Sequence, residues 1–309
     1  MKSLLKHLSM TERGGTGFIG RRLGELLRNN GYSVMNVARM PGANNISWST
    51  LEMSGLPRRT CAVVNCAGQQ FMDFTKSWTP GFKQNVQNSR VYTTKALAKA
   101  INESSDKPKV FVLVTGVGAY QPSESAMYDE SSPITGLDFF SRLCIEWEKA
   151  AQVNPPVRLV IIRAGAVLGR WGGMIKNMFV PFYFGLGGKL GSGKQYLPWI
   201  HLEDLTRLIH FAIENDNVSG ILNGVAPQVI TNEEFTKAFA RALQRPAFIP
   251  VPEPILNLLL NQERAMIVTK GQYVQPKRVL DYGFEYQYAN IDDACKEFAH
   301  LCPKKHPLN

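Results

Sequence analysis

The chain has 309 residues, 44% of them hydrophobic and 19% charged, a balance that excludes a disordered chain and allows one large α/β unit with a smaller appended region. Its net charge of +10, from 35 Lys and Arg against 25 Asp and Glu, by itself suits acidic small ligands, anionic surfaces or nucleic acid equally. There is no block of five like charges, no basic stripe interleaved with aromatics and no run of eighteen apolar residues, so neither nucleic acid nor a membrane span is expected.

Residues 1–10 are basic and lack acids, as mitochondrial presequences do, but contain no Arg. Leu4, Leu5 and Leu8 are spaced like a helix face among Lys2, Lys6 and His7. The next segment, Ser9-Met10-Thr11-Glu12-Arg13, reads as a poor strand, because central parallel strands are continuous apolar runs and here two charges abut the following turn. The expectation is a variant or damaged first strand.

Gly14-Gly15-Thr16-Gly17-Phe18-Ile19-Gly20 then opens into a helical pattern running from Ile19 to about Asn30. This Gly-x-x-Gly-x-x-Gly spacing suits a dinucleotide cradle. The first glycine permits a tight turn, the second lets backbone approach a pyrophosphate, and the third lets the helix pack closely on a sheet. The helix N-terminus would face the phosphates. A second strand, Tyr32 to Arg39, ends in Ala38 and Arg39 where an acid would hold a ribose 2′-hydroxyl, so NADP(H) is expected over NAD(H). The strand Ala62 to Gly68 ends in small residues that leave room for a nucleotide across the sheet edge.

A helix from about Gly81 to Ile101, a strand from Lys109 to Thr115, a loop through Tyr120 and Tyr128, a helix from about Leu137 to Gln152 and a strand from Val157 to Ala164 follow. This alternation specifies a Rossmann-type, doubly wound α/β fold with a parallel sheet. Glycine and aromatics are dense from Trp171 to Gly193, as in loops and short helices capping a pocket. Beyond them are expected a helix beginning within Trp199–Leu205, a strand near Ile221–Val225, a helix from Asn232 to Leu243 and a last helix from Ile291 to Leu301, making a small C-terminal α+β region. The expected division is an NADP-binding domain over residues 1–170 and a substrate domain over 171–309, with some segments returning to the main sheet. The five cysteines, at 61, 66, 144, 295 and 302, show no CxxC pairing. They point to a reducing intracellular compartment, the cytoplasm first and the mitochondrion as the alternative. No metal site is expected.

GGTGFIG, Asn65-Cys-Ala-Gly68, Leu113-Val-Thr-Gly116, Arg163-Ala-Gly-Ala-Val-Leu-Gly169 and Trp199-Ile-His-Leu-Glu-Asp204 together resemble the epimerase-like, extended short-chain dehydrogenase/reductase superfamily over nearly the whole chain. The segments Asp138–Glu148 and Tyr273–Phe284 narrow the resemblance to an atypical epimerase branch, short-chain dehydrogenase/reductase family 39U. The resemblance implies a Rossmann domain binding NADP(H), a small substrate domain and a small-molecule substrate, with neither substrate identity nor oligomeric state specified. It places Gly14, Gly15, Thr16, Gly17, Phe18, Ile19 and Gly20 at the phosphates and Ala38 with Arg39 at the adenosine-phosphate end. Cys66 and Ala67 match small residues beneath the cofactor, Asn85 and Arg90 fall on a flanking helix, and Val167 matches a turn beside the nicotinamide.

The superfamily's proton chemistry uses a Tyr, a Lys one helical turn later and a Ser. Here Phe140 and Cys144 stand at the Tyr and Lys positions, and Val117 where a Ser is expected, with Thr115 the nearest hydroxyl. The remaining candidates for a proton near the nicotinamide are Tyr120, Thr115 and His201. A Tyr-x-x-x-Lys spacing does occur at Tyr273 and Lys277, but Pro276 between them denies an ordinary helical turn. The expected function is an NADP(H)-dependent oxidoreductase or epimerase-like protein without the usual triad; the alternative is a catalytically inactive NADP(H)-binding sensor or assembly partner.

Overall fold

Val110-Phe111-Val112-Leu113-Val114 carries the logic of the fold in five residues. Val110, Val112 and Val114 pack into one apolar layer, while Phe111 and Leu113 point into another on the opposite face. A strand buried on both faces needs covers on both, and this parallel sheet has them. The computed structural model describes residues 6–11 (backbone only), 17–38, 40–42, 44–72 and 76–300.

In chain order the first half comprises β1 (Lys6–Thr11), α1 (Phe18–Asn29), β2 (Tyr32–Ala38), β3 (Asn45–Ser47), α2 (Trp48–Ser54), β4 (Thr60–Asn65), α3 (Pro80–Glu103) and β5 (Val110–Gly116). There follow β6 (Met127–Tyr128), α4 (Phe139–Lys149), β7 (Arg158–Ala164), β8 (Ala166–Leu168), α5 (Gly173–Tyr183), β9 (Trp199–His201), α6 (Leu202–Glu214) and β10 (Gly220–Gly224). Among the described residues the main sheet has seven strands in the order β10-β7-β5-β4-β1-β2-β3, with every neighbouring pair parallel. Leu23 and Leu27 of α1 and Leu205, Leu208 and Ile209 of α6 cover one face. Leu51 of α2, Leu97 and Ile101 of α3, and Trp147 of α4 cover the other.

The segment before the glycines departs from expectation. Lys6–Thr11 is a strand, paired with β2 on one side and β4 on the other, and Leu8 belongs to it rather than to a helix face. Hydrogen-bonding partners on both edges outweigh a weak intrinsic strand preference. Trp199–His201 likewise is not the start of a helix but β9, paired with β8, and α6 begins one residue later at Leu202.

The helix starts follow from local chemistry. Thr79 caps α3 with Pro80 in its first turn, and Asp138 with Ser141 forms a capping box on α4. Beyond β10 come α7 (Asn232–Leu243), α8 (Glu253–Leu260), α9 (Gln262–Thr269), β11 (Tyr273–Val274), α10 (Lys277–Asp281) and α11 (Ile291–Phe298). A separate apolar cluster joins α5, α7 and α11 through Phe179, Phe182, Phe235, Phe239 and Phe298, with Trp199 beside them. Among the described residues no helix is long and apolar enough to cross a membrane.

Candidate functional site

Because the strands are parallel, Thr11, Ala38, Asn65, Gly116, Ala164 and Gly224 all end at one edge of the sheet. The connection order reverses between β1 and β4, and a crevice opens outside the strand ends at such a switch point. Gly14, Gly15, Thr16 and Arg39 lie outside the described residues. Gly17 is the N-cap of α1, extended at φ −78° and ψ −175°, with no side-chain cap and no acid in the first turn. The leading N–H groups and the positive end of the helix dipole are therefore left for an anion. Gly20 is buried, while Phe18 and Ile19 are half-buried.

The loop after β8 closes over this helix start. Gly169 and Gly172 lie against the Phe18 ring, and a Cβ on Gly172 would collide with it. Arg22, one turn along α1, holds Glu203 of α6 in a two-pronged ion pair, Nε to Oε1 at 2.6 Å and Nη2 to Oε2 at 2.7 Å. Val167, half-buried in β8, pairs with Ile200. Ala38 ends β2 as a buried small residue.

At the end of β4 the turn is locked from behind. Asn65, fully buried, accepts from the Ala67 N–H at 3.0 Å and donates from Nδ2 to Thr94 Oγ1 at 2.8 Å. The same Thr94 oxygen accepts from Trp147 Nε1 at 2.9 Å and donates to the Arg90 carbonyl at 2.7 Å. One hydroxyl thus joins β4, α3 and α4 and fixes the turn through Cys66 and Ala67 at the end of β4. Desolvation pushes the Cys66 thiol up to about 12, so it keeps its proton at neutral pH. Thr94 and Trp147 are functional-site supports that sequence reasoning missed; the one local hint is the four-residue step from Arg90 to Thr94 along one helix face.

The two flanking residues on α3 part company. Asn85 is exposed, about 140° around the helix from Arg90. Arg90 is buried, with Nη1 donating to the carbonyls of Gln69 and Val86 at 3.0 and 3.1 Å. Burial lowers its pKa to about 10, which leaves it charged at neutral pH.

Thr115, Tyr120 and His201 are not brought together as a proton relay. Thr115 donates to Glu148 Oε1 at 3.2 Å. That carboxylate is gripped by Arg163 through Nε at 2.8 Å and Nη2 at 2.7 Å. Tyr120 is fully buried, its hydroxyl 2.8 Å from Asn223 Oδ1 and 3.0 Å from the Asp129 carbonyl, and burial raises its pKa. His201 caps α6 by accepting the Glu203 N–H on Nδ1, sets Nε2 3.1 Å from Glu297 and packs on Tyr288. All three polar groups are engaged inside the protein.

Phe140 stacks on Trp78 and meets Phe71 and Phe139, forming an aromatic wall. Cys144 is buried, 3.7 Å from the Gly116 carbonyl, and its thiol is pushed up to about 12 by burial and then by Glu148. Tyr273 lies in β11 while Lys277 begins α10, with Pro276 between them, so this spacing spans a strand and a separate helix. Among the described residues no group of three or more His, Cys, Asp or Glu side chains is placed to hold a metal ion.

Comparison with known proteins gives the geometry its context. Residues 251–298 match a domain of unknown function, and residues 13–223 match the NAD dependent epimerase/dehydratase family. Epimerase family protein SDR39U1 of Bos taurus and that of Homo sapiens are each 46% identical over 286 residues, 92% of this chain and 97% of theirs. The crystal structure of human epimerase family protein SDR39U1 (isoform 2) with NADPH is 44% identical, with a TM-score of 0.93, covering 95% of this chain and 99% of that one. Matched in profile over most of its length and in sequence to full-length relatives, the chain belongs to the NAD dependent epimerase/dehydratase family.

Proposed function

We propose that this chain is an NADP(H)-dependent oxidoreductase acting on a small molecule, with the cofactor across the carboxyl edge of the sheet. The observation that carries the reading is the switch point between β1 and β4, flanked by the uncapped start of α1 and by small residues that end β2 and follow β4. The residues present fit a dinucleotide: no acid opens α1, and Ala38 closes β2 without a side chain that would repel a 2′-phosphate. Residues 14–20 would hold the pyrophosphate, Arg39 the 2′-phosphate, Cys66 and Ala67 the floor, and Val167 the nicotinamide side. The human relative described with NADPH supports the choice of phosphorylated coenzyme.

When bound, the cofactor supplies hydride transfer. The chain's own part is to orient it, through the locked Asn65 turn and the Phe18 contact, and to line the cleft with the Phe140 wall. Among the described residues Thr115, Tyr120 and His201 are held in internal bonds, so in this reading the proton for a reduced carbonyl would come from water. Residues 1–170 would bind the cofactor and 171–309 the substrate, in the reducing compartment that the free Cys66, Cys144 and Cys295 suit, the cytoplasm first.

A second reading, an NADP(H) sensor without turnover, is favoured by Phe140 and by the engagement of Thr115, Tyr120 and His201 in internal bonds. Loss of NADPH absorbance with a carbonyl panel separates the two. Turnover that depends on a particular carbonyl supports the oxidoreductase; saturable NADPH binding with no consumption supports the sensor.

A further inference from the structure

Two loops of the C-terminal region lie side by side and both carry large apolar side chains into solvent. Phe184 and Leu186, just after α5, are 70% and 60% exposed, and Phe248, a few residues after α7, is 76% exposed. The loops are tied together by backbone, the Ile249 N–H donating to the Gly187 carbonyl at 3.1 Å and the Val251 N–H to the Lys189 carbonyl at 2.9 Å. At the other end Arg245 donates from Nε to the Tyr183 carbonyl at 3.0 Å and lies over the Tyr183 ring, which meets Phe184 edge-on. Beneath them Phe179, Phe182 and Phe239 are buried. The exposed rings therefore stand on a fixed platform, and aromatic rings presented together in this way mark a contact surface.

Cations border the same platform. Lys237, Arg241 and Arg245 line one shallow surface pocket at the end of α7, together with Gln244 and Ala247. Arg245 spends Nε and Nη1 on backbone carbonyls, and among the described residues no carboxylate pairs with it. Lys237 and Arg241 do meet acids, Glu233 at 2.7 Å and Asp292 at 2.6 Å, but both cations are about three-fifths exposed. Exposed pairs of this kind are weak and leave the cation able to turn to another anion.

We propose that this face docks on a membrane surface containing anionic lipid. Phe184, Leu186 and Phe248 enter the boundary between headgroups and acyl chains, and Lys237, Arg241 and Arg245 meet the lipid phosphates and carboxylates. Binding of this kind draws on buried apolar area and on attraction to anionic headgroups together, the two properties these loops combine. The chain lies on the bilayer and does not cross it, since among the described residues no helix is long and apolar enough to span. Charge selects this occupant over a second copy of the chain. A two-fold contact would put two such cationic clusters on one interface, between chains that each carry +10, whereas an anionic bilayer attracts both the cluster and the chain.

The test is sedimentation of the full chain with vesicles of phosphatidylcholine alone and of an equimolar mixture with phosphatidylserine, at low and high salt. Partition onto the mixed vesicles should exceed that onto phosphatidylcholine by about tenfold or more and should fall as salt is added. Phe184→Ser together with Phe248→Ser should lower binding to the mixed vesicles by about tenfold or more, with thermal unfolding unchanged because both rings are exposed. Leu186→Asp serves if that pair fails to fold. Lys237→Ser with Arg245→Ser should erase the preference for phosphatidylserine while leaving the weak binding to phosphatidylcholine. No partition onto the mixed vesicles overturns the proposal. So does partition that the Phe184 and Phe248 changes leave intact, since the overall positive charge would then account for it. A dimer seen by light scattering, split by the same two changes and formed by a chain that ignores vesicles, also overturns it and makes the face a contact between copies.

Discussion

The two halves of the sheet's carboxyl edge are built by different means. On the β1–β2 side the crevice is made from backbone and absence: an uncapped helix start at Gly17, buried Gly20 and the small Ala38. On the β4–β5 side it is made from long-range side-chain bonds, with Asn65, Thr94 and Trp147 sharing one hydroxyl and Thr115, Glu148 and Arg163 sharing one carboxylate. A phosphate group common to every dinucleotide can be held by generic backbone. A substrate must be read by particular side chains, and those need a rigid frame.

The sharpest way to break this comparison is to remove the charge on which the second half is centred. Glu148→Gln leaves Arg163, 2% exposed, without its counter-charge, and should cost about 3–5 kcal/mol in urea unfolding. Next in size, Thr94→Val strips the acceptor from two buried donors, Asn65 Nδ2 and Trp147 Nε1, for about 2–4 kcal/mol. Thr94→Ser keeps the hydroxyl and should recover most of that loss. A Thr94→Val protein as stable as the original would show that the frame at the end of β4 is not held in this way.

How far each half is legible in sequence follows from the same contrast. The glycine spacing, Ala38 and the small residues after β4 are contiguous signals, and the strand order places the described ones at a single edge. The second half depends on separations such as Asn65 to Thr94 and Thr115 to Glu148, which no local period announces. Tyr120 illustrates the loss: in a loop it reads as a possible proton donor, yet it is fully buried against Asn223. The strand at Lys6–Thr11 fails in the opposite direction, since its local composition argues against an element that two neighbouring strands impose. His201 reads in sequence as part of a helix that begins one residue after it, because the three-residue strand β9 is too short to show a period.

Smaller effects sharpen the boundary between the halves. Gly172→Ala forces a methyl into the Phe18 ring and should cost about 1–3 kcal/mol, together with weakened NADPH binding, because Phe18 opens α1. Phe18→Leu in the same chain should recover part of the stability.

Smallest at neutral pH is the thiol of Cys144. Its pKa in the fold, about 12, lies above the ordinary 9.0, so the stability it contributes is complete below pH 9 and is lost as pH rises toward 12. Unfolding measured from pH 8 to 10.5 should show a decline beginning near pH 9, and Cys144→Ala should reduce its slope by up to about 1.4 kcal/mol per pH unit.

The central claim is that the glycine-rich edge takes the phosphorylated coenzyme, and the most direct test is a titration of NADPH and NADH by intrinsic fluorescence, repeated with Arg39→Asp. NADPH should bind more tightly than NADH to the unaltered chain, and the substitution should abolish or reverse that order. Equal affinity for the two coenzymes, or a preference that survives Arg39→Asp, would contradict the account.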